Sequence, residues 1–169
     1  MLSFESNGQR FHLRAAALLR DGDAVLLHRV DGDAFWCPPG GRVDIGETAE
    51  AAVRREMREE LATEVVVDRL AAVVENFFAW RGQGQHGVEF HYALRLPPGS
   101  PLAGSAPFER VETGGGLAGD QPPIRLEFRW FRLDELADID LRPACVRAIL
   151  AAAPESGVMH LVQDERPGG

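Results

Sequence analysis

The clearest hydrophobic period in the chain covers residues 49–61, AEAAVRREMREEL. At about 100° per residue, Ala49, Val53, Met57 and Leu61 fall on one apolar stripe. No Gly or Pro interrupts the run. Thr48 is placed to cap its start, and Glu50 lies in the first turn, where the helix dipole favours negative charge. The pattern therefore predicts a helix with one buried side. Period-2 and continuous apolar runs predict strands at residues 11–20 (FHLRAAALLR), 24–30 (AVLLHRV), 64–79, 87–96 and 125–132, with a last edge strand at 158–162. Asp21-Gly22-Asp23 reads as a hairpin turn, and Arg81 to Gly87 as a flexible tip between two long strands. Residues 134–137 and 142–152 read as helical turns. Residues 97–123 break the pattern. They hold six of the eleven prolines, and they read as a long excursion that serves as a lid, a partner contact or a disordered loop. Strands mixed with a few helices place the chain in the α/β or α+β class, as a single domain over residues 1–169.

Charge and composition narrow the function. The net charge of −8 argues against a general nucleic-acid surface, and an acidic protein needs a bridging cation to hold a polyphosphate. The two cysteines, Cys37 and Cys145, have no metal-ligand spacing, which favours a reduced, cytoplasmic setting. No apolar run reaches the roughly 20 residues of a membrane span, and the first residues lack a signal pattern. A monomer or a homodimer is expected.

The predicted helix carries Glu56, Glu59 and Glu60 along the margin of its apolar stripe. Glu56 and Glu60 form a like-charge i,i+4 pair, which costs roughly 0.2–0.5 kcal/mol and makes a merely solvated face a poor explanation. Hard carboxylate donors on one face suit Mg²⁺, which takes one or two carboxylates together with waters and substrate phosphate oxygens.

Gly41, Glu47 and the run Arg55-Glu56-Met57-Arg58-Glu59-Glu60 stand at the spacing of the Nudix box, and the chain resembles that family. Ala62 and Thr63 depart from the pattern, which has a glycine and an aliphatic residue there. A glycine past a helix end takes a positive φ freely, so Ala62 would cost about 1 kcal/mol if it kept that conformation. The flanks 35–41 (FWCPPGG) and 129–136 (RWFRLDEL) resemble the family's entry turn and late strand.

The resemblance implies an α/β/α sandwich with a mixed β-sheet. It also implies Mg²⁺- or Mn²⁺-dependent hydrolysis of a nucleoside diphosphate linked to a further group X. Glu56, Glu59 and Glu60 would hold the metal, with the carbonyl of Gly40 as a further ligand beside Gly41. Glu47 would brace the loop through Arg55. Glu59, least aligned with the other two glutamates, is the first choice for general base. Outside the box, Glu127 and Glu89 on predicted strands offer further carboxylates, Glu127 towards metal and Glu89 towards substrate. The alternative for each is a solvent-facing strand residue. Phe35, Phe77, Phe78, Trp80 and Tyr92 could stack on a nucleobase or simply fill the core. His28, His86 and His91 could contact phosphate or base, with a surface or supporting role preferred for each, and Cys37 reads as packing. A catalytically silent ligand-binding domain is the competing function. It would be expected to lack box glutamates, and a purely structural module would show no response to Mg²⁺.

Overall fold

The computed structural model describes residues 1–112 and 123–166. Its strands are β1 Ser3–Ser6, β2 Gln9–Asp21, β3 Ala24–Val30, β4 Gly40–Arg42, β5 Val66–Trp80, β6 Gln83–Arg95, β7 Phe108–Glu112, β8 Ile124–Arg132 and β9 Met159–Asp164. Two α-helices, α1 Ala49–Leu61 and α2 Val146–Ala151, and a 3-10 helix Leu133–Asp138 complete the described elements. The strands form one mixed sheet in the order β7-β8-β3-β2-β6-β5-β9, with β1 and β4 each also paired to β2. The β2–β6 and β5–β9 pairs are parallel, and the others are antiparallel.

Alternation along β2 divides the core in two. Ala15, Ala17 and Leu19 face the cluster built on Ala52, Val53, Met57 and Leu61 of α1. Leu18 faces the other way, into a cluster with Val146, Ile149 and Leu150 of α2. One helix therefore covers each face, the sandwich that the resemblance implies. Burying Val53, Met57 and Leu61 stabilises the α1 face by about 2 kcal/mol per side chain. Thr48 caps α1 by accepting the Ala51 N–H at 3.1 Å. No helix among the described residues is long and apolar enough to cross a membrane.

Ala62 ends α1 in the left-handed region, at φ 52° and ψ 36°, and its N–H donates to the Arg58 carbonyl. The exit geometry that glycine would adopt is kept without glycine. Ala62→Gly is therefore expected to stabilise the fold by about 0.5–1 kcal/mol, after allowing for the extra freedom of glycine in the unfolded chain. A chain of this size should show a rise of about 1–3 °C in melting temperature, and an unchanged or lower value would contradict the strain argument.

Two sequence readings are corrected. The flexible tip over residues 81–87 is a tight hairpin, because β6 already starts at Gln83 and Trp80 pairs with Gln83 across a two-residue turn. Arg81 and Gly82 both have positive φ, 51° and 80°, the turn geometry that matches strand twist. The excursion over residues 97–123 is not loop throughout. It contains β7, which extends the sheet on β8, and Phe108 stacks on Phe128 at 5.1 Å. Leu102 is buried in the α1 cluster, and its carbonyl accepts the Trp130 Nε1–H at 3.1 Å. Residues 113–122, the rest of that expected lid, lie outside the described residues.

Candidate active site

β4 and the N-terminal half of β2 run side by side, Ala15 against Gly41 and Ala16 against Gly40. Gly40 sits so close to β2 that a Cβ would lie 2.2 Å from the Ala15 carbonyl oxygen, and its φ of 139° also excludes other residues. Gly41 has a different reason to be bare. A Cβ there would lie 2.2 Å from Oε1 of Glu56, so the Glu56 carboxylate crosses the space that a side chain would fill. Glycine at position 41 therefore lets a helix carboxylate reach past the β4 backbone into a cleft of about 650 Å³. Glu60 joins it on the same wall. Only 8% of Glu56 and 7% of Glu60 is exposed.

Arg55 organises the box. Its Nε and Nη2 donate to both carboxylate oxygens of Glu47, at 3.0 and 2.9 Å, and Nη2 also donates to the Arg42 carbonyl at 3.0 Å. Its Nη1 donates to Glu56 at 2.7 Å and to Glu59 at 3.2 Å. Glu47 in turn accepts the Asp44 N–H at 3.0 Å, which fastens the loop ahead of α1. Burial raises the pKa of Glu56, and the Arg55 guanidinium works against that rise. The hydrogen bond from Arg55 holds Glu47 below the usual carboxylate range, against the opposing effect of burial.

The remaining predicted residues divide. Glu59 stands at the outer rim, with 59% of its side chain exposed and its carboxylate on Arg55, and it does not line the cleft. Phe35 lines the cleft, with the Arg142 guanidinium 5.1 Å over its ring. Glu89 lines it as well, though it is not the solvent-facing strand residue of the alternative reading, since only 4% is exposed. It accepts the Asn76 Nδ2–H at 2.8 Å and the His91 Nε2–H at 3.1 Å. Burial would raise its pKa, but these hydrogen bonds and the nearby charge of Arg14 bring it down to about 2. Glu127 does not join them. It faces Arg29 on the neighbouring strand, accepts its Nε–H at 2.7 Å, and lines a separate hollow of about 290 Å³. The β3–β8 register thus gives Glu127 an ion pair with Arg29 and a place away from Glu56 and Glu60.

Of the histidines, His28 and His91 leave the surface, and His91 takes a supporting place. His28 is buried and lines the cleft, and burial, helped by Arg14, pulls its pKa down to about 3. His91 is fully buried beneath Glu89. Cys37 lines the cleft too, but burial pushes its thiol up to about 12, so it is inert as a nucleophile. Sequence reasoning missed His12, Arg14 and Asn76, which line the same floor. The available signal was phase: His12, Arg14 and Ala16 alternate on β2 and share one face.

Among the described residues, no three His, Cys, Asp or Glu side chains converge closely enough to grip an ion by themselves. Two buried carboxylates beside a glycine-lined wall still match the donor set of Mg²⁺, which draws its other oxygens from water and phosphate. The residues present fit a divalent cation on those terms.

The sequence matches the NUDIX domain over residues 10–151, most of its length. The chain belongs to the NUDIX family. Among its relatives, a putative mutator protein MutT4 of Mycobacterium tuberculosis is 33% identical over 75 residues, which cover 43% of this chain and 30% of that protein. The dihydroneopterin triphosphate diphosphatase of Escherichia coli is 34% identical over 79 residues, covering 44% of this chain and 47% of that enzyme. The chain thus spans less than half the length of these curated relatives. A MutT NUDIX hydrolase from Burkholderia pseudomallei superposes with a TM-score of 0.53 at 27% identity, covering 83% of this chain and 95% of that one.

Proposed function

We propose that the protein is a Mg²⁺- or Mn²⁺-dependent pyrophosphohydrolase that cleaves a nucleoside diphosphate linked to a further group X. The observation that carries this reading is the buried pair Glu56 and Glu60 on the wall of a large cleft, which Glu56 reaches across the bare Cα of Gly41. Glu60 and Glu56 from the wall, Glu59 from the rim and the carbonyl of Gly40 are the groups that would hold the cation. A divalent ion bound there would neutralise phosphate oxygens and acidify the attacking water.

The protein's own residues do the rest. Arg55 fixes the direction of Glu56 and ties α1 to the loop through Glu47, so the wall does not have to reorganise when substrate binds. Glu56 is better placed than Glu59 to accept a proton from water, because it faces the cleft and its burial raises its proton affinity. Arg14 lines the floor within the field of Glu56, Glu60 and Glu89, and supplies positive charge to a phosphate that those carboxylates alone would repel. The printed name of one relative, a dihydroneopterin triphosphate diphosphatase, agrees with a phosphoanhydride substrate.

A panel of nucleoside triphosphates, dinucleoside polyphosphates, nucleotide sugars and ADP-ribose tests the reading. At least one should release a nucleoside monophosphate or X-phosphate with Mg²⁺ or Mn²⁺, and lose turnover with chelator. A protein that turns over none of them with either metal is not a pyrophosphohydrolase.

A further inference from the structure

The sheet ends at β9, which is bonded to β5 on one side and, among the described residues, to no strand on the other. One hydrogen bond fixes the direction of its backbone groups. The Glu165 N–H donates to the Phe77 carbonyl at 2.8 Å. In a parallel pair, alternate residues turn both N–H and C=O towards the partner, so Met159, Leu161 and Gln163 share the direction of Glu165 and face β5. His160, Val162 and Asp164 turn theirs outward, where no backbone or side-chain group among the described residues meets them. The side chains of these three also stand exposed on one face, whereas Met159 and Leu161 pack on the α2 cluster. Sheets commonly blunt such an edge with Pro, Lys or a bulge. β9 has no Pro, no Lys and no break in register, and Val158 and Val162 are exposed by 57% and 63%.

A second copy of the same strand fits this edge. A two-fold axis closes the pair and runs the two strands antiparallel. Outward residues must then oppose outward residues, so His160, Val162 and Asp164 can pair only among themselves or with positions of the same phase. One register sets Val162 on its own copy and His160 on Asp164, with Val158 opposite Arg166. Apolar surface then meets apolar surface, an imidazole meets a carboxylate, and every outward N–H and C=O of the three residues finds a partner. A displacement of two residues either way sets Val162 against His160 or against Asp164. A displacement of four sets His160 or Asp164 against its own copy. In the single chain His160 meets Glu75 at 2.8 Å and Asp164 meets Arg166, but both pairs are open to solvent and hold these side chains weakly.

We infer that the outer edge of β9 is a homodimer interface, at which two copies of the chain join their sheets by antiparallel β9 pairing centred on Val162.

Sedimentation velocity on the full chain over a concentration series should show a monomer–dimer equilibrium. Val162→Pro removes an outward N–H and none that β5 uses. It should raise the dimer dissociation constant tenfold or more while circular dichroism stays that of the parent. Val162→Cys tests the register. The Cα atoms of a hydrogen-bonded antiparallel pair lie about 5.5 Å apart, within disulfide reach, so mild oxidation should cross-link most of the dimer. Val158→Cys is the control, because its two copies would lie about 27 Å apart at roughly 3.4 Å per residue and should stay separate. The parent, with Cys37 and Cys145 alone, sets the background. If Val162→Pro fails to fold, the two cysteine variants decide. A parent that stays monomeric at every concentration overturns the inference, whatever other strand the edge receives. So does a dimer that Val162→Pro leaves intact, that Val162→Cys fails to cross-link, or that Val158→Cys cross-links as readily.

Discussion

Glu60→Gln is expected to lower turnover of the best pyrophosphate substrate by about a hundredfold or more, the order seen when a metal ligand or general base is lost. The size follows from position. Glu60 lies on the cleft wall in a buried setting, where a charge acts through little intervening water and no exposed neighbour can stand in for it. The neutral amide keeps the shape of the side chain, so the loss should appear in kcat with little change in the melting curve. Steady-state kinetics on the wild type and the variant, each at saturating Mg²⁺, make the comparison. Turnover within threefold of the parent would remove Glu60 from the machinery, and with it the assignment of the wall.

Mg²⁺ is expected to raise the melting temperature by several degrees beyond the effect of Na⁺ at matched ionic strength. The folded wall gathers Glu56 and Glu60, whereas the unfolded chain scatters them, so the ion binds the native state preferentially. At a hundredfold excess over Kd the gain is about 2.7 kcal/mol. In a domain of this size that corresponds to roughly 5–10 °C. Glu56→Gln should act in two directions. The pKa of Glu56 is raised by burial, so the fold favours its neutral, protonated form at acid pH, and that contribution is lost as pH rises through the raised pKa, leaving a buried charge that opposes folding near neutrality. The amide removes that opposition and still accepts from Arg55, so the metal-free variant should be as stable as the parent, or more stable by tenths of a kcal/mol. Its Mg²⁺-induced rise should shrink. Equal shifts for both salts in both proteins would show that the wall of Glu56 and Glu60 binds no divalent cation.

Much of the architecture is legible in one dimension. The 3.6-residue period fixes α1 and its buried stripe, because Val53, Met57 and Leu61 recur at helical spacing whatever they pack against. Alternation and D-G-D turn chemistry fix β2 and β3, and the spacing of Gly41, Glu47, Arg55 and the three glutamates carries the family. The expected bracing of Glu47 through Arg55 is also local, eight residues apart on a loop and the helix it enters.

What the tertiary structure alone decides is which carboxylates share a space. Helical spacing already sets Glu59 apart from Glu56 and Glu60, but only the packing of α1 beside β4 buries those two on the cleft wall and carries Glu56 across Gly41. Glu89 and Glu127 read alike as strand residues. Register then places Glu127 against Arg29 and lays Glu89 beside Arg14 on the cleft floor. β7 is hidden in a Pro- and Gly-rich stretch, because a short strand is held by its partner β8 and by Phe108 on Phe128 more than by its own pattern. His12 and Gly87, 75 residues apart in sequence, meet only because β2 and β6 pair in parallel, a long-range contact that no local period encodes.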